Sequence, residues 1–209
     1  MGKHAKSVDS QLLVRILSKR RGWVFTPADF LDLGSRTAVG LALMRHARAG
    51  TIRQLARGLY DYPNQHKDFG TLPPSDDRIA NALKGRDDTR IQVSGAHAAN
   101  MLGISTQVPV RTIFLTEGLA RKVKIGKREI VLKKTSARQM ATAGRVSGTV
   151  IQALRWIGQR YVDDRMIAGL RRRLSATDKQ QLLKDLRYAP AWIADIMRKV
   201  AQPAKSGET

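Results

Sequence analysis

Residues 35–62 read SRTAVGLALMRHARAG and then, without a break, TIRQLARGLYDY. In the first part Val39, Ala42 and Leu43 recur at helical spacing, Ser35 stands where an N-cap is wanted, and Gly50 marks the stop. After Gly50 the period becomes two. Thr51 to Leu55 and Leu59 to Tyr62 flank Ala56-Arg57-Gly58, which predicts a β-hairpin with glycine at the position that needs a positive φ.

Upstream, Val8, Leu12, Leu13, Ile16 and Leu17 predict an amphipathic helix over Val8–Lys19, ending on Lys19-Arg20-Arg21 and stopped by Gly22. Trp23-Val24-Phe25 reads as a short apolar link. Thr26-Pro27 reads as a cap and first helical residue opening a short helix through Phe30 and Leu31. Helix, short helix, longer helix and hairpin within 62 residues is the order of a winged helix-turn-helix.

Downstream, Pro63, Gly70, Pro73 and Pro74 predict a connector over Pro63–Pro74. Ser75 then caps a helix over Asp76–Lys84. Strands are expected over Arg90–Ser94 and Val110–Thr116, with a short helix over Ala96–Leu102 between them. Arg121–Ile125 and Glu129–Lys134 about Gly126-Lys127 predict a second hairpin. Helices over Ser147–Ile157, Asp164–Leu174, Thr177–Leu186 and Pro190–Val200 close the chain. The expected fold class is α+β: a winged helix-turn-helix over 1–62, a mixed α/β domain over 63–201 ending in a helical segment, and a disordered tail over 202–209.

The composition is ordinary for a globular chain except in the sign of its charge: 38 Lys and Arg face 17 Asp and Glu, a net +21 over 209 residues. Such a surplus favours a polyanionic partner. Residues 1–62 hold 11 basic and 4 acidic side chains, a net +7, which leaves +14 on the remainder. That remainder is densest over 111–145. There Arg121, Lys122, Lys124, Lys127, Arg128, Lys133, Lys134 and Arg138 stand with Arg111 and Arg145 against only Glu117 and Glu129. In the second hairpin Lys122 and Lys124 alternate with Val123 and Ile125, which sets a cationic face against an apolar one.

In a helix-turn-helix the second motif helix enters the major groove. Val39, Ala42, Leu43 and His46 share the core face, with His46 as a hydrogen-bonded core histidine. Ser35 and Arg36 at the helix start, with Thr37, Leu41, Met44, Arg45 and Arg48, take the outward face. Arginine bonds guanine bidentately, and Thr37 or Leu41 can meet a thymine methyl. Arg53, Gln54 and Arg57 fall on the wing, and Lys19, Arg20 and Arg21 are candidates for phosphate contacts.

Chemistry-bearing patterns are largely missing. With no cysteine, disulfides, thiolate metal sites and Cys nucleophiles are excluded, and the composition suits a reducing cytoplasm. His4, His46, His66 and His97 are scattered, and Asp76-Asp77, Asp87-Asp88 and Asp163-Asp164 diverge as adjacent residues. No metal, cofactor or catalytic residue is expected. Gly126-Lys127 lacks the flanking pattern of a P-loop, and Gly144 to Gly148 lacks nucleophile-elbow spacing. No apolar run approaches a membrane span, and Met1 to Lys6 lacks a signal-peptide core, so the expected location is cytoplasmic.

Ser35-Arg36 through Gly50, with the wing Arg57-Gly58-Leu59-Tyr60, resembles the N-terminal winged helix of AbiEi-type antitoxins, the antitoxin half of type IV abortive-infection systems. Leu72-Pro73-Pro74-Ser75, the run Val93–Gly103, Gln107-Val108-Pro109 and Lys124-Ile125-Gly126 are similar to the domain that follows it in those proteins. The likeness covers Ser7 to Gly158. It implies a protein that represses its own operon by binding inverted-repeat double-stranded DNA; the expected state is a monomer or weak dimer, nucleoid-associated when bound to DNA. It also implies that the second domain counters a nucleotidyltransferase-type toxin without a stable complex. Arg36, Thr37 and Arg45 match the reading helix and Arg53 and Arg57 the wing, while Leu41 and Met44 depart from the polar residues of that pattern. The alternatives are a winged-helix regulator or general nucleic-acid-binding accessory protein with no toxin partner, and a nuclease or transferase using the acidic pairs.

Overall fold

A computed structural model describes residues 7–85, 89–107 and 109–202; His4, Asp87, Asp88, Val108 and tail residues 203–209 lie outside the described residues. The fold is mixed α+β and divides into two compact units, Met1–Gly85 with Val123–Gly126, and Arg86–Lys122 with Lys127–Thr209.

The first unit begins with α1 (Val8–Ser18), capped by Ser7, whose hydroxyl accepts the Ser10 amide at 3.1 Å. Leu12 and Ile16 bury its inner face. Where the sequence predicts a link, Val24 and Phe25 form a strand, β1 (Val24–Phe25). Two residues are too short to show a period, and tertiary pairing alone makes them a strand. A 3₁₀ turn over Pro27–Phe30 follows, capped by Thr26, which donates its amide (2.7 Å) and hydroxyl (3.0 Å) to the Asp29 carboxylate.

Helix α2 (Arg36–Arg48) is capped by the Ser35 hydroxyl, which accepts the Ala38 amide at 3.2 Å, and Gly50 ends it at φ +74°. β2 (Arg53–Ala56) and β3 (Leu59–Asp61) form the expected hairpin, with Gly58 at φ +71°. β3 is buried throughout and pairs antiparallel with both neighbours, so the sheet order is β1-β3-β2. Phe25 sits at the centre of the core, 5.5 Å from Phe30 edge-on and 6.1 Å from Tyr60, with Val39, Ala42, Leu43 and Ile52 packed around it.

The predicted connector is not irregular. β4 (Asn64–His66) and β5 (Gly70–Leu72) pair antiparallel as a second hairpin, with Gln65 opposite Thr71. α3 (Asp76–Leu83) follows, capped by Ser75. Its Arg78 donates to the Gly22 carbonyl at 2.9 Å and covers the space that a side chain at Gly22 would need. The first compact unit takes in both hairpins and α3, over Met1–Gly85 with Val123–Gly126. Prolines and a glycine mark the ends and turn of a short hairpin as readily as they mark a linker. On the outer side, Arg15 grips Asp32 bidentately at 2.8 and 2.6 Å. That hydrogen-bonded pairing lowers the Asp32 pKa, so its stabilising effect is present above the ordinary carboxylate range and lost as pH falls through the lowered value.

After Gly85 the chain forms β6 (Ile91–Val93), α4 (Gly95–Met101), β7 (Arg111–Thr116), β8 (Arg121–Ile125) and β9 (Arg128–Lys134). The sheet order is β6-β7-β9-β8, with β6–β7 antiparallel and β7–β9 parallel. The chain thus reaches the outer edge as β8 and returns between its two neighbours, a topology that strand periods cannot reveal. After α5 (Ala137–Met140), helices α6 (Val146–Ile157), α7 (Asp164–Arg173), α8 (Ala176–Lys184) and α9 (Ala191–Ala201) complete the second unit. α6 is buried from Val150 to Leu154 and packs on α4, α8, α9 and β6.

Below α6 lies Asp185, a carboxylate only 2% exposed. Arg145 (2.6 Å), the buried Ser147 hydroxyl (2.5 Å) and the Gln181 amide (2.8 Å) all donate to it and pin the start of α6 to the end of α8. Replacing Asp185 by alanine strands those donors. Asp185→Ala should lower the unfolding free energy by about 2 kcal/mol, read by urea denaturation, while Leu183→Ala on the exposed side of α8 changes it by less than about 0.5 kcal/mol.

Candidate nucleic-acid interface

The helical spacing of α2 places Val39, Ala42 and Leu43 fully inside, so residues a half-turn away must face solvent. Ser35, Arg36, Thr37, Leu41, Met44, Arg45 and Arg48 are all exposed. Leu41 is 49% and Met44 38% exposed, which makes them an apolar patch between cations rather than core residues. Half-buried His46 stands 3.5 Å from Asp9 on α1, and its backbone carbonyl accepts the Thr51 amide at 3.1 Å.

The basic residues expected to meet a partner divide into two groups. Arg36, Arg48 and Arg57 project into solvent, as does Gln54 on β2. Others are engaged within the chain. Arg45 donates to Asp9 at 3.2 and 2.8 Å and ties α2 to α1. Arg53 donates through Nε (3.1 Å) and Nη2 (2.6 Å) to Asp61, and through Nη2 also to the Leu72 carbonyl at 3.0 Å. Arg53 is therefore held within the sheet, while Gln54 and Arg57 on the same hairpin are exposed. Register explains the difference: Arg53 lies directly opposite Asp61, which is 1% exposed and in need of a cation. At the end of α1, Lys19 lies over Trp23 at 5.6 Å, while Arg21 lies over Tyr62 at 4.7 Å and donates to the Pro63 carbonyl. Arg20 is exposed beside them.

Between the second half of α2 and the two hairpins runs a groove of about 660 Å³. Met44, Ala47 and Arg48 form one wall; Gln54, Gln65 and Thr71 line the other. Gln65 and Thr71 belong to the segment that composition marks as a connector, so neither was among the expected contacts. The signal available in the sequence was the polar run Asn64-Gln65-His66 facing Gly70-Thr71-Leu72 across three residues. Residues 1–85 carry 14 basic and 7 acidic side chains, and no carboxylate lines the groove.

The second expected surface lies on β8, β9 and the residues that follow them. Arg121, Lys122, Lys124, Lys127, Lys133, Lys134 and Arg138 are exposed, and Arg128 is partly covered. β8 alternates exposed Lys122 and Lys124 with half-buried Val123 and Ile125, the two-sided pattern read from the sequence. Glu129 takes Lys122 at 2.6 Å and Arg111 at 3.0 Å, which neutralises part of this face. Among the described residues no cluster of His, Asp and Glu could hold a metal ion, and no helix is long and apolar enough to cross a membrane.

These features define a basic two-unit α+β protein with one exposed helix face and groove in its first unit. Residues 11–182 match DUF6088, a family of unknown function, and the chain belongs to that family. No curated protein and no solved structure matches it.

The division of the arginines gives a direct check. Arg53→Ala leaves the Asp61 carboxylate buried without its cation and should cost about 3 kcal/mol of stability in chemical denaturation. Arg57→Ala, on an exposed turn, should change stability by less than about 0.5 kcal/mol.

Proposed function

We propose that this protein is a winged-helix DNA-binding repressor of the antitoxin type, with α2 as the reading helix. Helix, strand, 3₁₀ turn, helix and hairpin, with sheet order β1-β3-β2, is the element order of a winged helix. The observation that carries the reading is the outward face of α2. Arg36, Thr37, Leu41, Met44 and Arg48 are exposed together on a helix whose opposite side is locked into the core. Thr37 and Leu41 suit thymine methyls, and Arg36 and Arg48 suit guanine edges or phosphates. The antitoxin role rests on the resemblance of the wing and of the Leu72–Ser75, Val93–Gly103 and Lys124–Gly126 segments to AbiEi-type proteins. In that role the part of the chain after the first hairpin counters a nucleotidyltransferase-type toxin.

Gly40 adds support. It lies inside α2, and a Cβ built there meets nothing within 4 Å. A mid-helix glycine costs about 1 kcal/mol relative to alanine, and packing within the chain gives no reason for it. A duplex backbone passing close to the helix does.

The decisive binding experiment compares the full chain on the duplex upstream of its own gene with a random duplex at physiological salt. The own-promoter duplex should bind at least about a thousandfold more tightly, and both affinities should fall steeply with salt. Equal affinities would contradict the reading. In the same assay Gly40→Ala should raise stability by about 0.5–1 kcal/mol yet weaken specific binding about tenfold. An unchanged affinity would remove Gly40 from the interface.

A second reading, a general nucleic-acid-binding accessory protein, is favoured by the alternating face of β8 and the +14 carried by residues 63–209. It requires that Lys124→Ala with Lys127→Ala abolish most binding while Arg48→Ala does not. The repressor reading expects the reverse, with Arg48→Ala lowering the salt slope by about one.

A further inference from the structure

Resting on the DNA reading of α2, we infer that the β4–β5 hairpin is a second wing, and that the groove between it and α2 seats one strand of the duplex backbone. The hairpin's position is fixed at its base. Arg53 holds the Leu72 carbonyl, Arg21 holds the Pro63 carbonyl, and Gly22 and Tyr62 join the preceding residues to the β1 end, with the Gly22 amide donating to the Tyr62 carbonyl at 2.6 Å. Beyond that base, every residue from Asn64 to Thr71 is exposed. A hairpin rigid at its root and free at its tip is built to meet something outside the unit.

The groove's chemistry names the partner. Its wall residues Gln54 and Gln65 carry amide donors, Arg48 supplies a cation, and no carboxylate intervenes. The Thr71 hydroxyl donates to Gln65 Oε1 at 3.0 Å, which leaves the Gln65 NH₂ group to donate outward. Donors and a cation along a groove suit phosphodiester oxygens.

At the tip, Phe69 is 76% exposed, with His66 packed 4.9 Å from its ring, and Lys67 and the exposed Asp68, whose carboxylate stands 3.8 Å from His66, beside it. Gly70, at φ +64°, closes the turn and sets this tip outward. An exposed aromatic ring next to a cation at the end of a β-ribbon can lie against the sugars and base edges of a minor groove. The hairpin thus extends the contact beyond the base pairs that α2 reaches.

The experiment uses the full chain and the end-labelled duplex from upstream of its own gene, with affinity and hydroxyl-radical footprint both recorded. Gln65→Ala with Thr71→Ala, and separately Phe69→Ala, replace exposed side chains and should leave the melting temperature unchanged. Each should weaken binding about tenfold and erase the outer part of the protected sugar track, while the central part under α2 persists. Wild-type affinity and an unshortened footprint in both variants would overturn the second wing and leave the α2 reading standing. A wild-type chain that protects no part of the duplex would overturn both.

Discussion

A single buried charge organises the first unit. Asp61 lies on the central strand of the β1-β3-β2 sheet with its carboxylate almost wholly removed from water. Such a group must be paired, and the register places Arg53 directly across the ladder to pair it through two hydrogen bonds. The same guanidinium continues to the Leu72 carbonyl on β5. One side chain therefore fixes the first hairpin, sets the second hairpin against it, and forms part of the groove that both share with α2. The Phe25 core gives the unit its cohesion, but the Arg53–Asp61–Leu72 link decides where its polar edges stand.

Several helices of this chain were legible in the sequence because they carry their own punctuation, whereas the short, uncapped α5 was not read. Ser7, Ser35 and Ser75 all cap with their hydroxyls, and Gly50 ends α2 as its spacing predicts. The Gly58 hairpin was legible for the same reason. Non-local pairing was not. Val24 and Phe25 are a strand only because β3 lies beside them, and β9 runs parallel to β7 only because the chain first visits the sheet edge. The β4–β5 hairpin was hidden by its own turn residues, since proline and glycine bracket linkers and short ribbons alike.

The same limit applied to the surface. Exposure of Arg36, Thr37, Leu41, Met44 and Arg48 followed from a 3.6-residue period and a known core face. Engagement did not: Arg45 and Arg53 carry the charge and position expected of contacts, yet each has a carboxylate partner on another element. Composition counts cations, whereas pairing across elements determines which remain available. Of the surplus charge, the part on α2 and the hairpins sits beside a groove without acid. The part on β8 and β9 is partly held by Glu129.

The central claim, that the outward face of α2 lies against duplex DNA, can be tested through two methionines exposed among the described residues. Met44 is on that face, and Met101 is a more exposed thioether at the end of α4 that serves as the internal control. Both should be readily converted to sulfoxide in the free protein. On addition of the own-promoter duplex, residue-resolved oxidation should fall several-fold at Met44 and stay constant at Met101. Undiminished oxidation of Met44 in a protein demonstrably bound to the duplex would contradict the account.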